Sequence, residues 1–168
     1  MANVSTTVVS SIAAPRTPFY KWLVPGVFYN QLETVLKDAA FLPGVARTTD
    51  TTGPWDVPGS TRIVHLTDNN TVRETVTAAT APDYFAYELT EFSNPAIRFL
   101  VKQARGRWWF TDEGSGTQAK WTYTAESKNF LGGIVLLPVI KIFWNRYMKA
   151  AVNLTKERAE KEVRGSTV

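Results

Sequence analysis

From residue 45 to 126 the chain reads as six consecutive strands joined by short turns, followed by a single long amphipathic helix. The predicted strands are Val45–Thr52, Thr61–Thr67, Thr71–Ala79, Tyr84–Phe92, Arg98–Asp112 and Gly116–Glu126. Their turn signals are Asp68-Asn69-Asn70, Ala81-Pro82-Asp83, Asn94-Pro95 and Gly114-Ser115-Gly116, and a Gly/Pro-rich loop, Gly53–Gly59, follows the first strand. Connections this short force sequential strands to pair antiparallel, because a parallel pair needs a crossover of a dozen residues or more. Val4–Ile12, uncharged and β-branched, adds a seventh strand. Two short helices follow it: one opens at Thr17-Pro18 with Thr as N-cap and ends at Pro25-Gly26, and one runs over Val27–Ala40 with Phe28, Leu32, Val35, Leu36 and Ala39 on one stripe.

A seven-stranded sheet has two faces, and one long helix covers only one of them. That helix is predicted from Pro138 to Val163, with Ile140, Trp144, Tyr147, Ala151 and Leu154 at helical spacing and a length of about 39 Å. The predicted class is α+β, with the sheet curled around the C-terminal helix and a concave space between them. At 168 residues the chain is expected to form one domain, 1–168, able to bury its core without metal or disulfide support.

Composition removes several chemistries. There is no cysteine, so thiolate nucleophiles, disulfides and zinc knuckles drop out, and His65 is the single histidine. No cofactor is expected, and neither is a metal, since acidic residues are scattered without a calcium-loop pattern. A net charge of +4 is mild. The C-terminal charges Lys156, Glu157, Arg158, Glu160, Lys161, Glu162 and Arg164 alternate in sign, as on a solvated helix face, so nucleic acid is not an expected partner. Residues 1–9 lack the basic and apolar regions of a signal peptide, and the apolar run 131–140 holds two glycines and a proline and falls short of the ~20 residues a span needs. The expected location is cytoplasmic, as a monomer or homodimer.

Turn geometry sets the predicted register. A three-residue loop at Asp68–Asn70 places Leu66 opposite Val72, Val64 opposite Glu74 and Arg62 opposite Val76, with the apolar members on one face. A two-residue loop mixes polar and apolar residues on both faces. A four-residue turn at Thr80–Asp83 then sets Val76 beside Tyr87 and Glu74 beside Leu89, with Phe85 alternating onto the same face. Arg62, Glu74 and Tyr87 are thus expected to project into the concavity as neighbours, and His65 to point away. The pair Arg62 and Glu74 reads as a ligand anchor, as a structural ion pair, or as catalytic candidates.

Six tryptophans, six tyrosines and nine phenylalanines give the chain aromatic surface beyond what a thin sheet–helix core requires. Trp108 and Phe110 alternate inward on one strand and Trp121 and Tyr123 on the next, with Trp144, Tyr147 and Met148 facing them from the helix. An aromatic cavity with a few convergent polar groups is the ordinary form of a small-molecule site. Trp55, in the Gly/Pro-rich loop, is a candidate lid or a plug for the end of the barrel.

This order of elements, with Leu42-Pro43-Gly44-Val45, Trp55…Pro58-Gly59-Ser60-Thr61-Arg62, Arg73-Glu74-Thr75-Val76, Ala104-Arg105-Gly106-Arg107-Trp108-Trp109-Phe110 and Trp121-Thr122-Tyr123, resembles the START-like (SRPBCC) superfamily of helix-grip proteins. Within it, residues 3–160 look most like the bacterial polyketide cyclase/dehydrase and lipid-transport group. The resemblance implies a gated apolar cavity and a hydrophobic or aromatic ligand, lipid-like or polyketide-like. The Gly-Ser-x-Arg strand and the later Glu also resemble the plant abscisic-acid receptors, where the matching Glu faces the ligand. Their gating sequence is absent at Asp68–Asn70, so their signalling role is not carried over. Two other readings stand beside a carrier. One is a cyclase or dehydratase with Glu74 as acid/base and Arg62 steadying an enolate. The other is a membrane-surface lipid carrier with Phe130–Leu137 in the interface, whose liposome binding Leu136→Asp or Leu137→Asp would abolish.

Overall fold

In a computed structural model, residues 2–165 are described; Met1, residues 166–168 and the Arg164 side chain lie outside them. Strands β1 (Asn3–Ile12), β2 (Val45–Thr49), β3 (Thr61–Leu66), β4 (Thr71–Thr80), β5 (Tyr84–Thr90), β6 (Val101–Glu113) and β7 (Gly116–Ser127) form one antiparallel sheet in the order β1-β7-β6-β5-β4-β3-β2. The hairpins run in sequence from β2 to β7, and β1 closes the far side against β7, from Asn3↔Glu126 to Ile12↔Thr117. Helix α1 (Arg16–Trp22) passes through a π turn (Leu23–Val27) into α2 (Phe28–Asn30). A short helix α3 (Pro95–Leu100) precedes β6. The C-terminal helix runs as α4 (Phe130–Pro138), a π turn (Val139–Trp144) and α5 (Asn145–Gly165). Its inner stripe, including Leu136, Ile140, Met148, Ala151, Val152 and Ala159, is buried in the core.

Several boundaries differ from the sequence reading. Pro25-Gly26 and Pro138 do not stop their helices. Each lies in or beside a π turn, whose wider winding accommodates the missing proline N–H. The C-terminal helix therefore starts at Phe130, where the Asn129 side chain accepts from Gly132 N at 2.7 Å, and spans about 54 Å. By length and composition Phe130–Val163 is long and apolar enough to cross a membrane; its packed inner stripe makes it the core helix of the grip. Pro15, not Thr17, caps α1, with no side-chain bond. The predicted strand from Arg98 begins instead at Val101, because Asn94 accepts from Ala96 N and Ile97 N and, with Pro95 following, starts a helix.

The expected helix Val27–Ala40 ends at Asn30, followed by one 3₁₀ turn, Leu32–Thr34. The reason is tertiary. Arg62 Nη1 donates to Phe28 O and to Tyr29 O, taking carbonyls that another helical turn would have used. A buried cation at a helix C-terminus also complements the dipole there. The chain then turns back, with Val45 N bonding to Leu36 O and Asp38 Oδ1 accepting from Gly44 N.

The β3–β4 hairpin keeps the predicted face but not the predicted pairs. Its three-residue loop is Thr67–Asn69, one residue earlier than expected, with Asn69 in the left-handed region at φ 68°. The register moves by two, so Arg62 sits directly opposite Glu74 and Val64 opposite Val72. In the β4–β5 hairpin, Val76↔Tyr87 and Glu74↔Leu89 are as predicted by another route. The loop is Ala81-Pro82-Asp83, and a bulge between Val76 and Ala78 restores the pairing.

Candidate functional site

Arg62 is the centre of the polar constellation. It is fully buried, and its Nη2 donates to Glu74 Oε1 at 2.8 Å. Its guanidinium carbon lies 3.7 Å from the centroid of the Trp55 ring. One cation is thus held by a carboxylate on the neighbouring strand, two carbonyls at the end of α2 and an aromatic face from the Gly/Pro-rich loop. A charge buried this deeply is tolerated only with such compensation. Arg62 Nε has no hydrogen-bond partner, and neither do Trp55 Nε1, Trp121 Nε1 or Trp144 Nε1.

A cavity of about 40 Å³ lies beside this cluster. β3 and β4 contribute Arg62 and Glu74, β5 contributes Phe85 and Tyr87, and β6 and β7 contribute Trp108 and Trp121. The rest of the wall comes from Phe28, Leu32, Val35, Leu36 and Trp55, with Thr155 from α5. The aromatic wall is continuous: Trp108 stacks on Trp121 at 4.8 Å between centroids, and Phe28 packs at 5.6 Å from Trp108 and 5.9 Å from Phe85. Gly106, opposite Tyr87, is needed here. A Cβ on it would lie 2.0–2.3 Å from the Tyr87 ring and hydroxyl, so only glycine lets that ring lie across β6.

Burial first, then the charge of Glu74, pushes the Tyr87 hydroxyl well above the ordinary phenol value. Trp121 works against that rise, although its N–H makes no hydrogen bond of good geometry. Tyr123 and Tyr147 are also raised, chiefly by burial. These phenols remain neutral hydrogen-bonding groups at any physiological pH.

Of the residues singled out from sequence, Trp55, Arg62, Glu74, Phe85, Tyr87, Trp108 and Trp121 meet at the cavity. The others are inside the protein but not on its wall. Phe110 packs against Phe19 and Tyr20 of α1, at 5.8 and 5.5 Å. Tyr123, Trp144 and Tyr147 form a separate stack, at 4.6 and 4.7 Å. Val64, Val76 and Met148 are core, and Leu89 is packed at its margin. Trp55 is fully buried over Arg62 and lines the cavity. His65 lies outside the site, with Nε2 2.8 Å from Thr49 Oγ1. Sequence reasoning missed Phe28, Leu32, Val35 and Leu36 as wall residues, although their stripe was visible. It also missed Thr155, which continues the i, i+4 series from Tyr147 and Ala151.

Comparison with known proteins follows the same lines. A family model described as polyketide cyclase / dehydrase and lipid transport matches residues 31–160. The sequence matches none of the curated proteins. Among solved structures, ginseng major latex-like protein 151 from Panax ginseng is similar with a TM-score of 0.69 at 11% identity, covering 94% of this chain and 98% of that one. Ara h 8.0201 gives 0.63 at 11% identity, covering 96% and 100%. XoxI from Bacillus cereus gives 0.65 at 11% identity, covering 92% and 94%. Likeness at this identity speaks for the fold alone.

Proposed function

Because the chain belongs to the polyketide cyclase / dehydrase and lipid transport family, we propose that it binds a hydrophobic or aromatic small molecule carrying an oxygen acceptor, between the sheet and the C-terminal helix. The observation that carries this reading is the set of unpartnered N–H groups on three residues of one apolar wall: Arg62 Nε, Trp55 Nε1 and Trp121 Nε1. A buried donor without an acceptor costs roughly 1–3 kcal/mol, and a ligand carbonyl, carboxylate or hydroxyl removes that cost. Aromatic stacking supplies the affinity, and the donors fix the orientation.

The cavity of about 40 Å³ is far smaller than the roughly 300–1,000 Å³ of drug-sized sites, so binding requires the wall to open. The parts suited to move are the Gly53–Gly59 loop bearing Trp55 and the segment 31–44 bearing Leu32, Val35 and Leu36, which lie outside the sheet ladder. The first test is native mass spectrometry of gently purified protein against its denatured mass. A discrete adduct of small-molecule size supports the reading. Protein that is empty and also excludes 8-anilinonaphthalene-1-sulfonate refutes it.

An acid/base role for Glu74 is the second reading, favoured by its position on the cavity wall beside Tyr87. Against it, both terminal nitrogens of Arg62 already hold acceptors, which leaves Nε and one Nη2 hydrogen for an enolate. Glu74→Gln separates the two. A carrier keeps most of its affinity, whereas a cyclase or dehydratase keeps binding and loses about two decades or more of turnover.

A further inference from the structure

The first turns of the C-terminal helix carry an apolar surface that no part of the described fold covers. Phe130 is 85% exposed, and Leu131, Ile134, Leu137 and Ile142 are each about half exposed. Their spacing puts them on the outer side of the same turns whose inner side, Gly132, Leu136 and Ile140, is buried. Helix α3 extends the surface with Phe99, also exposed, and is locked to α4: Phe99 O accepts from Asn129 Nδ2 at 3.0 Å. Gly132 comes so close that a Cβ on it would lie 2.4 Å from Leu100 O. An exposed apolar patch fixed by two elements marks an interaction site.

Charge identifies the occupant. From Ser127 to Lys156 the chain has no Asp or Glu and five Lys or Arg. Arg98, Lys128, Lys141, Arg146 and Lys149 are exposed, and none is in an ion pair among the described residues. Beyond Lys156 the signs alternate again. A second copy of this chain would bring cations against cations, which disfavours self-association through this face. An apolar ridge on a helix segment that carries cations and no acid instead matches an anionic bilayer, with the ridge at the acyl boundary and the cations at the phosphates.

We propose that the face formed by Phe99, Phe130, Ile134 and Leu137, together with Arg98, Lys128, Lys141, Arg146 and Lys149, docks the protein on an anionic lipid bilayer surface. The proposal is independent of what the cavity holds, since the cavity tests use no lipid. Within it, Leu136 and Leu137 play opposite parts: Leu136 is core and Leu137 is surface.

The test is co-sedimentation of the full chain with vesicles of phosphatidylcholine alone and of phosphatidylcholine with phosphatidylglycerol. Binding to the anionic vesicles is expected to be at least about tenfold tighter and to weaken with added salt. Ile134→Asp/Leu137→Asp should lower it by about tenfold or more with the fold intact by circular dichroism, because both side chains are exposed. Lys141→Glu/Arg146→Glu should remove the preference for the anionic vesicles, and it keeps the test valid if the apolar variant misfolds. Equal partition to both vesicle types, or no binding, overturns the proposal, as does binding indifferent to both variants. So does a dimer by light scattering that Ile134→Asp/Leu137→Asp splits while vesicles are ignored, which would assign the face to a second copy.

Discussion

Removing the Glu74 carboxylate strands the Arg62 cation inside the protein. Breaking a buried ion pair by deleting one partner typically costs about 3–5 kcal/mol. Here the guanidinium keeps two carbonyl acceptors and the Trp55 face, and Glu74 has a side chain 10% exposed, so the lower end applies. Glu74→Ala is therefore expected to lose about 3 kcal/mol, and at roughly 2–4 °C per kcal/mol for a domain of this size the midpoint falls by about 6–12 °C. Urea unfolding followed by tryptophan fluorescence reads this directly, with an unchanged slope confirming that stability alone has changed. Glu74→Gln should lose about half as much, since it keeps a neutral acceptor. The double variant Arg62→Met/Glu74→Leu gives the sharper result. Replacing a buried pair by apolar residues is often neutral or better, but here Phe28 O is left without its donor, so a net change near zero is expected. A loss under about 1 kcal/mol for Glu74→Ala, or a double variant less stable than the single one, would refute the view that this pair is a compensated buried charge.

Other consequences can be checked with similar means. Gly106→Ala should cost about 1–3 kcal/mol and displace the Tyr87 ring, visible as altered near-ultraviolet circular dichroism; a silent substitution would mean that the ring does not lie over β6. Tyr20 is pushed up to about 12 by burial and then by Asp56, and Tyr87, Tyr123 and Tyr147 are raised as well. Groups raised on folding stabilise fully below their unfolded value of 10.0 and lose that contribution as pH climbs through the folded values, so phenolate absorbance should appear together with unfolding on the alkaline side. Free titration of all six tyrosines near pH 10 would contradict it. Asp38 is held below its ordinary value of 3.8, first by the Thr67 hydroxyl and then by the Gly44 amide, so its contribution is lost only as pH falls below about that value. Asp38→Asn should flatten that acid limb in a pH series of thermal midpoints. Leu136→Asp should unfold the protein outright, whereas Leu137→Asp should leave its midpoint nearly unchanged.

Much of the fold follows from local rules. Strand alternation, turn residues and one amphipathic helix specify a sheet gripping a helix, and the apolar parity of β3 and β4 puts Arg62 and Glu74 on the inner face for either placement of a three-residue loop. That parity explains why a register displaced by two residues still gave the right face: side chains repeat with period two, so only an odd shift is costly. The exact pairing was decided by where Asn69 adopts its left-handed conformation, which Asp68-Asn69-Asn70 leaves open because each residue tolerates it. Asn94-Pro95, read as a turn, and Asn129, not singled out, both start helices, since each carries the side-chain acceptor that a first turn needs.

What the sequence determines by itself is therefore the set of faces: which residues point inward, which turns reverse the chain, and that one helix must fill the grip. Tertiary structure decides what those residues do once inside. Helix α2 stops because an arginine 34 positions away takes its carbonyl, and the aromatics divide between the cavity wall, the edge contacts of Phe110 with Phe19 and Tyr20 beside it, and a separate stack of Tyr123, Trp144 and Tyr147. Each is a contact between segments distant in the chain, and its energy depends on a separation in space that no local pattern of residues encodes.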